Sequence, residues 1–190
     1  MKLIFPLLLS IFFAAPAQAD SDFEVAFGFL QSRLNTIDKT KSKEFETLRI
    51  YFEANTLDFR EEGIWDWSEQ FFAINKVALS DSITARYELG SYQVDPKDLA
   101  YPATVGHFEQ FDLWYIRMEC FNSDCITFDG LLGEYDGKTD IFEGHLESLT
   151  SKSSTRETNV FWFNDQRTAE RVAKALTQML RLSGAQEHAF

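Results

Sequence analysis

Two short segments of the chain carry residue types that can hold a metal ion at matching spacing. They are "GHFEQF", with His107 and Glu109, and "GHLESL", with His145 and Glu147. In each, a glycine precedes the histidine and a glutamate follows two residues later. On a β-strand, residues i and i+2 share one face, about 6.6 Å apart. Two such strands facing each other would offer two imidazoles and two carboxylates to zinc or another divalent ion, the ligand set of a metal-dependent hydrolase. That chemistry needs three ligand atoms within about 2.0–2.2 Å of one ion and an open position for water or substrate. Nothing in the sequence brings the pairs together, and a solvent-facing strand edge accepts His and Glu readily in a chain this rich in Glu. We therefore expect the two imidazoles to lie too far apart to share an ion. The third histidine, His188, sits in the tail "AQEHAF".

The other reactive residues point to structure. Cys120 and Cys125 are the only cysteines, in "MECFNSDCITF". In an oxidising compartment they are expected to form a disulfide. Alternation of Ile116, Met118 and Cys120, then Ile126 and Phe128, suggests two strands joined by a turn at Asn122–Asp124, stapled by that bond. A loop so small gives a chain-entropy stabilisation of only about 2 kcal/mol. Redox-active pairs are spaced C-x-x-C at a helix start, and a zinc site needs more thiols or a nearby histidine cluster. No nucleophile-elbow, zincin, P-loop or dinucleotide-binding pattern occurs. "DGLLGEYDGKTD" lacks the Asp positions and twelfth-residue Glu of a calcium loop and reads as a glycine-containing turn. In "IWDWSEQFF", Trp65 and Trp67 share a strand face. Paired indoles can form a ligand platform, but Phe71 and Phe72 continue the apolar character and favour a core face. No catalytic residue, metal site or cofactor is assigned.

The elements around these residues follow from periodicity. Phe23, Phe27, Leu30, Leu34 and Ile37 recur at helical spacing, and "DKTKSKE" after them reads as a polar connector. The period then changes to two: Leu48, Ile50 and Phe52 share a face, with further strands expected around 70–79 and 82–89. Pro96 and Pro102 bracket a loop. "FDLWYIRMEC" is the clearest strand, with Trp114, Ile116, Met118 and Cys120 on one side. Residues 129–140, with three glycines, read as a loop, and "SLTSKSSTRETN" as a polar turn region. "VFWF" sends Phe161 and Phe163 one way and Val160 and Trp162 the other. After it, Asn164 or Asp165 can cap a helix. That helix has a narrow apolar stripe of Ala169, Val172, Ala173, Leu176, Met179 and Leu180, and Gly184 ends it. The stripe is too narrow for a partner-binding face and suits a lid on the core.

The first nineteen residues, "MKLIFPLLLSIFFAAPAQA", combine Lys2, an apolar run and small residues at Ala17 and Ala19. This is the pattern of a secretory signal cleaved after Ala19, and the run is too short to span a bilayer. Residues 20–190 are expected to form one domain in the periplasm or outside the cell, with no membrane span. The chain has 18 Lys+Arg against 30 Asp+Glu, a net charge of −12. Loss of Lys2 with the leader takes the mature chain to −13. So acidic a surface repels phosphate backbones and anionic headgroups, which argues against nucleic acid and membrane partners.

An N-terminal helix, a run of strands, "MECFNSDCI" and a closing "AERVAKAL" helix together resemble a set of uncharacterised bacterial secreted proteins with a pleckstrin-homology-like core. The resemblance covers most of the mature chain. It implies an α+β fold: an N-terminal helix, an antiparallel β-roll or sandwich, and a C-terminal capping helix. It also implies a platform for lipids, peptides or proteins and no enzyme activity. The basic loop of the lipid-binding members is not evident here, where the loops are acidic. The expected function is an exported, non-catalytic binding or assembly module for an unknown exported protein or peptide, with its site in a groove between a sheet edge and a helix. The alternatives are the His-x-Glu metal-dependent hydrolase and a carrier of a small apolar ligand.

Overall fold

The structure, a computed structural model, describes residues 15–34, 36–43, 46–59, 63–77, 82–138 and 149–188. Helix α1 spans Ala15–Gln31. The strands are β1 (Thr36–Lys43), β2 (Glu46–Phe59), β3 (Trp65–Val77), β4 (Ser82–Val94), β5 (Ala100–Tyr101), β6 (Thr104–Phe108), β7 (Leu113–Glu119), β8 (Ile126–Lys138), β9 (Thr150–Arg156) and β10 (Thr158–Phe163). Helix α2 (Gln166–Leu182) and the short β11 (Gln186–Glu187) follow. The architecture is α+β. A six-stranded antiparallel sheet in the order β1-β2-β3-β4-β8-β9 carries a three-stranded one in the order β10-β7-β6, and β11 pairs with β5.

The inner face of the long sheet is a ladder of cross-strand rungs, each two residues from the next. Trp67, Tyr92 and Phe128 form the first, and Ala54, Glu69, Gly90 and Gly130 the second. Phe52, Phe71, Glu88 and Leu132 form the third, Ile50, Ala73, Arg86 and Glu134 the fourth, and Leu48, Asn75 and Thr84 the fifth. The first rung is sealed. Trp67 stacks on Tyr92 at 5.3 Å, and Phe128 lies 5.1 Å from Tyr92. The second rung is lined by glycines because the backbones and the Phe128 ring leave no room: a Cβ at Gly90 would come within 2.6 Å of that ring.

The small sheet stands on this face by its β10 edge. Phe161 meets Trp67 at 5.8 Å, and the Asn159 amide donates to Glu69 at 2.6 Å. On one side of β10, Ile116, Met118, Phe161 and Phe163 close the core under α2. All six residues of the expected helical stripe are buried, and the Asp165 carboxylate accepts from the Thr168 amide at 2.8 Å as the N-cap. Gly184, at φ +85°, takes the left-handed position that ends the helix. On the other side of β10 the described residues leave much of the long sheet open. The turn between β6 and β7 reaches across to it. There the Lys39 ammonium donates to the carbonyls of Phe111 and Asp112, and Lys41 to that of Gln110.

Four sequence expectations are corrected. Ile37 belongs to β1, since α1 ends at Gln31 and "DKTKSKE" is largely strand, paired to β2 through alternation of Ile37, Lys39 and Lys41 on the inner face. The glycine-bearing stretch from Asp129 is β8, whose glycines serve close packing and not a turn. Residues 150–156 of the polar segment form β9, held by backbone pairing to β8. Cys120 and Cys125 are bonded, with Cα atoms 5.7 Å apart, but they do not staple a hairpin. β7 lies in the small sheet and β8 in the long one, so the bond sits where the chain changes sheets. The chain crosses back beside it at Glu157, whose carbonyl accepts from the Cys120 amide at 2.8 Å. Residues 1–14 lie outside the described residues, and α1 runs through the expected processing point after Ala19. No described helix is long and apolar enough to cross a membrane, and the disulfide is compatible with export.

Candidate functional site

Strand β3 places a carboxylate where its alternation demands an apolar residue. Trp65, Trp67, Glu69 and Phe71 share the inner face, and Glu69 is only 5% exposed. Its Oε1 accepts from the Trp67 indole at 2.7 Å and from Asn159 at 2.6 Å. Burial pushes its pKa up to about 7, against the opposing pull of those two hydrogen bonds and of the Arg156 charge.

The adjoining strand repeats the pattern with Arg86, Glu88, Gly90 and Tyr92. Glu88 is also 5% exposed. Arg86 donates to its Oε1 through Nε and Nη2, and Arg156 donates to its Oε2 at 2.9 Å. Burial raises the Glu88 pKa, but the hydrogen bonds and charges of Arg156 and Arg86 together outweigh it, and the carboxyl is held below its ordinary range. Arg156 lies 4.4 Å above the Phe128 ring and also donates to the Tyr92 hydroxyl at 3.3 Å. Burial first, then the nearby Glu69 charge, drives the Tyr92 hydroxyl far above its usual pKa.

Above this polar floor is a cavity of about 240 Å³, walled by Phe52, Phe71, Val160 and Trp162. It adjoins a larger groove of about 620 Å³ on the open part of the ladder, and Arg86 lines both. The groove runs between Leu48, Ile50 and Ala73 on the sheet and Phe108, Gln110 and Phe111 on the β6–β7 turn. At its far end stands Asn75, whose Oδ1 is buried and has no hydrogen-bond partner among the described residues. An unpaired buried amide oxygen costs about 1–3 kcal/mol unless something donates to it.

The expected groove between a sheet edge and a helix is also present. β6 is the outer strand of the small sheet, and about 510 Å³ of open space separates the 101–105 segment from Ala173, Lys174 and Thr177 of α2. Val105, 37% exposed, lies in it. Its helical wall alternates Glu170, Lys174 and Arg181 with Ala173, Thr177 and Gln178, and the Thr177 hydroxyl already accepts from the Ala103 amide at 3.1 Å.

Of the twin His-x-Glu pattern, the described residues include only His107 and Glu109. Glu109 lies in the turn after β6, so it does not share a strand face with His107. The His107 ring stacks on Trp114 at 4.5 Å, and its Nε2 is 3.0 Å from Asp112 Oδ1. His145 and Glu147 lie outside the described residues. Among the described residues, no group of three or more His, Cys, Asp or Glu is placed to hold a metal ion. Trp65 and Trp67 are core, each 2% exposed. Sequence reasoning missed Glu69, Glu88 and Arg156. The signal for Glu69 was a charged residue on the apolar side of an alternating strand; Glu88 shares its face with Thr84 and Arg86, opposite Ile83, Ala85 and Leu89, and neither it nor Arg156 carried a signal. Comparison with protein-family models, curated proteins and solved structures finds no match to this chain.

Proposed function

We propose that this protein is an exported, non-catalytic binding module that takes an extended polypeptide segment in the groove on the open part of the long sheet. The observation that carries this reading is the groove of about 620 Å³ itself, in which Leu48, Ile50 and Ala73 of the sheet face Phe108 and Phe111 of the β6–β7 turn, with Arg86, Thr84 and Gln110 between them. A bound segment has apolar side chains for Leu48, Ile50 and Phe108, and backbone groups for the polar side chains among them. The likeness to pleckstrin-homology-like secreted proteins supports the same class, since such rolls act as platforms. The volume falls within the range of about 300–1,000 Å³ that binding clefts occupy. The carboxylates below are absorbed in hydrogen bonds and ion pairs that order the floor, which suits a scaffold better than a reacting pair.

The test is a peptide array probed with the mature protein and with an Ala73→Trp variant, whose indole fills the groove between Ile50 and Arg86. Peptides that bind the natural protein and are lost by the variant support the reading. Binding that survives Ala73→Trp but is lost in Val105→Asp would move the site to the groove beside α2 and overturn it.

A further inference from the structure

The junction of cavity and groove has the parts needed to read a chain end. Arg86 stands there on the fourth rung, between Ala73 and Glu134. Its Nε and Nη2 are committed to Glu88, and its Nη1 has no acceptor among the described residues. Arg156, from β9, uses only Nη1, on Glu88 and Tyr92. Among the described residues three guanidinium nitrogens therefore remain without an acceptor, beside a cavity of about 240 Å³.

Asn75 lies two residues further along β3 from Ala73, on the next rung. Rung spacing on a strand is about 6.6 Å. An extended peptide has the same two-residue repeat, so a segment lying along the ladder meets successive rungs with equivalent groups. An anion at Arg86 and a side chain over the rung of Leu48, Asn75 and Thr84 are then one repeat apart on a single chain. In the other direction lies the cavity, with aromatic and aliphatic walls and Glu69 on its floor. The second Glu69 oxygen, Oε2, accepts no hydrogen bond from a described residue.

From this arrangement we infer that the groove captures the C-terminus of its polypeptide ligand, with the terminal carboxylate on Arg86 and Arg156 and a terminal aromatic side chain in the cavity. The inference rests on the groove reading given above. Arginine suits the role because its planar fork meets both oxygens of a carboxylate. A terminal tyrosine fits better than phenylalanine, because its hydroxyl donates to Glu69 Oε2. Glu134, exposed on the same rung as Arg86, opposes the incoming carboxylate and limits the affinity.

The experiment uses the mature protein and six-residue peptides ending in tyrosine, with the C-terminus free or amidated, titrated by calorimetry. The free acid should bind at least 10-fold more tightly than the amide. Arg86→Gln, at a side chain 53% exposed, should erase that preference, so that acid and amide bind this variant equally, with circular dichroism confirming the fold. Glu134→Gln should tighten the free acid several-fold and the amide not at all. Equal affinity for acid and amide, lost in Ala73→Trp, would overturn the inference while leaving the groove as a peptide site. Binding of neither peptide, or binding indifferent to Ala73→Trp, would overturn both.

Discussion

Replacing Glu69 by glutamine should remove a pH-dependent weakness from the fold. In an unfolded chain this carboxyl titrates near 4.5, whereas in the folded protein burial moves it to about 7. At pH 4 both states hold the proton, and burial of the neutral acid carries no ionic penalty. Between 4.5 and 7 the unfolded chain loses its proton while the folded one keeps it, so stability falls as pH rises. Above 7 the folded state ionises too, and the cost is complete. The interval from 4.5 to about 7, at about 1.4 kcal/mol per pH unit, amounts to about 3 kcal/mol. Glutamine keeps a carbonyl oxygen for the Trp67 and Asn159 donors but has nothing to ionise. Urea unfolding of both proteins from pH 4.5 to 8 isolates the effect, because Glu88 titrates in both and cancels. The variant should match or trail the natural protein at pH 4.5 and overtake it by pH 8, with most of the change between 5 and 7.5. A stability difference that stays constant across that range, or that moves toward the natural protein as pH rises, would refute the account of Glu69 as a buried acid.

Leu176 is 1% exposed in the α2 stripe, so Leu176→Ala should cost about 2–5 kcal/mol in denaturant unfolding. Asp165→Ala removes the side-chain acceptor of the Thr168 amide and should cost about 1 kcal/mol by the same measurement. Replacing Cys120 and Cys125 together by serine should cost about 2 kcal/mol, since the loop they close is short; a loss much larger than that would show that the bond holds the sheet crossing by more than chain entropy. Arg156→Ala leaves Glu88 with Arg86 alone and should cost about 3 kcal/mol, read from the same urea midpoints.

Local periodicity made some elements legible and tertiary demands hid the others. The α2 stripe, its Asp165 cap and its Gly184 stop are each written within a few residues of one another, and each stands where the sequence places it. The inner faces of β2, β7 and β10 were readable for the same reason, from Leu48, Ile50 and Phe52 onward. β8 was not, because Gly130 looks like a turn residue until Gly90 is known to lie opposite it. β9 was not, because "TSKSSTR" has no apolar face and is a strand only through its pairing with β8. The pairing of Cys120 with Cys125 was legible, yet the hairpin inferred from it was not the geometry: a spacing of five fits a corner between sheets as well as a turn within one. At the site, Glu69 stands as a charge on an apolar alternation, but Glu88 alternates with Thr84 and Arg86 like a solvent-facing residue, and its union with Arg156, 68 residues away, leaves no local trace.

One wall of the groove is held in place by atoms common to every amino acid. Lys39 and Lys41 grip the carbonyl oxygens of Gln110, Phe111 and Asp112, and no side chain of that turn takes part in those bonds. Position and recognition are therefore separable in this segment. Gln110, exposed on the wall, can be exchanged for other residues without loosening the anchor, so under the proposed reading this turn is where ligand preference can be redesigned while the backbone that carries it stays in place.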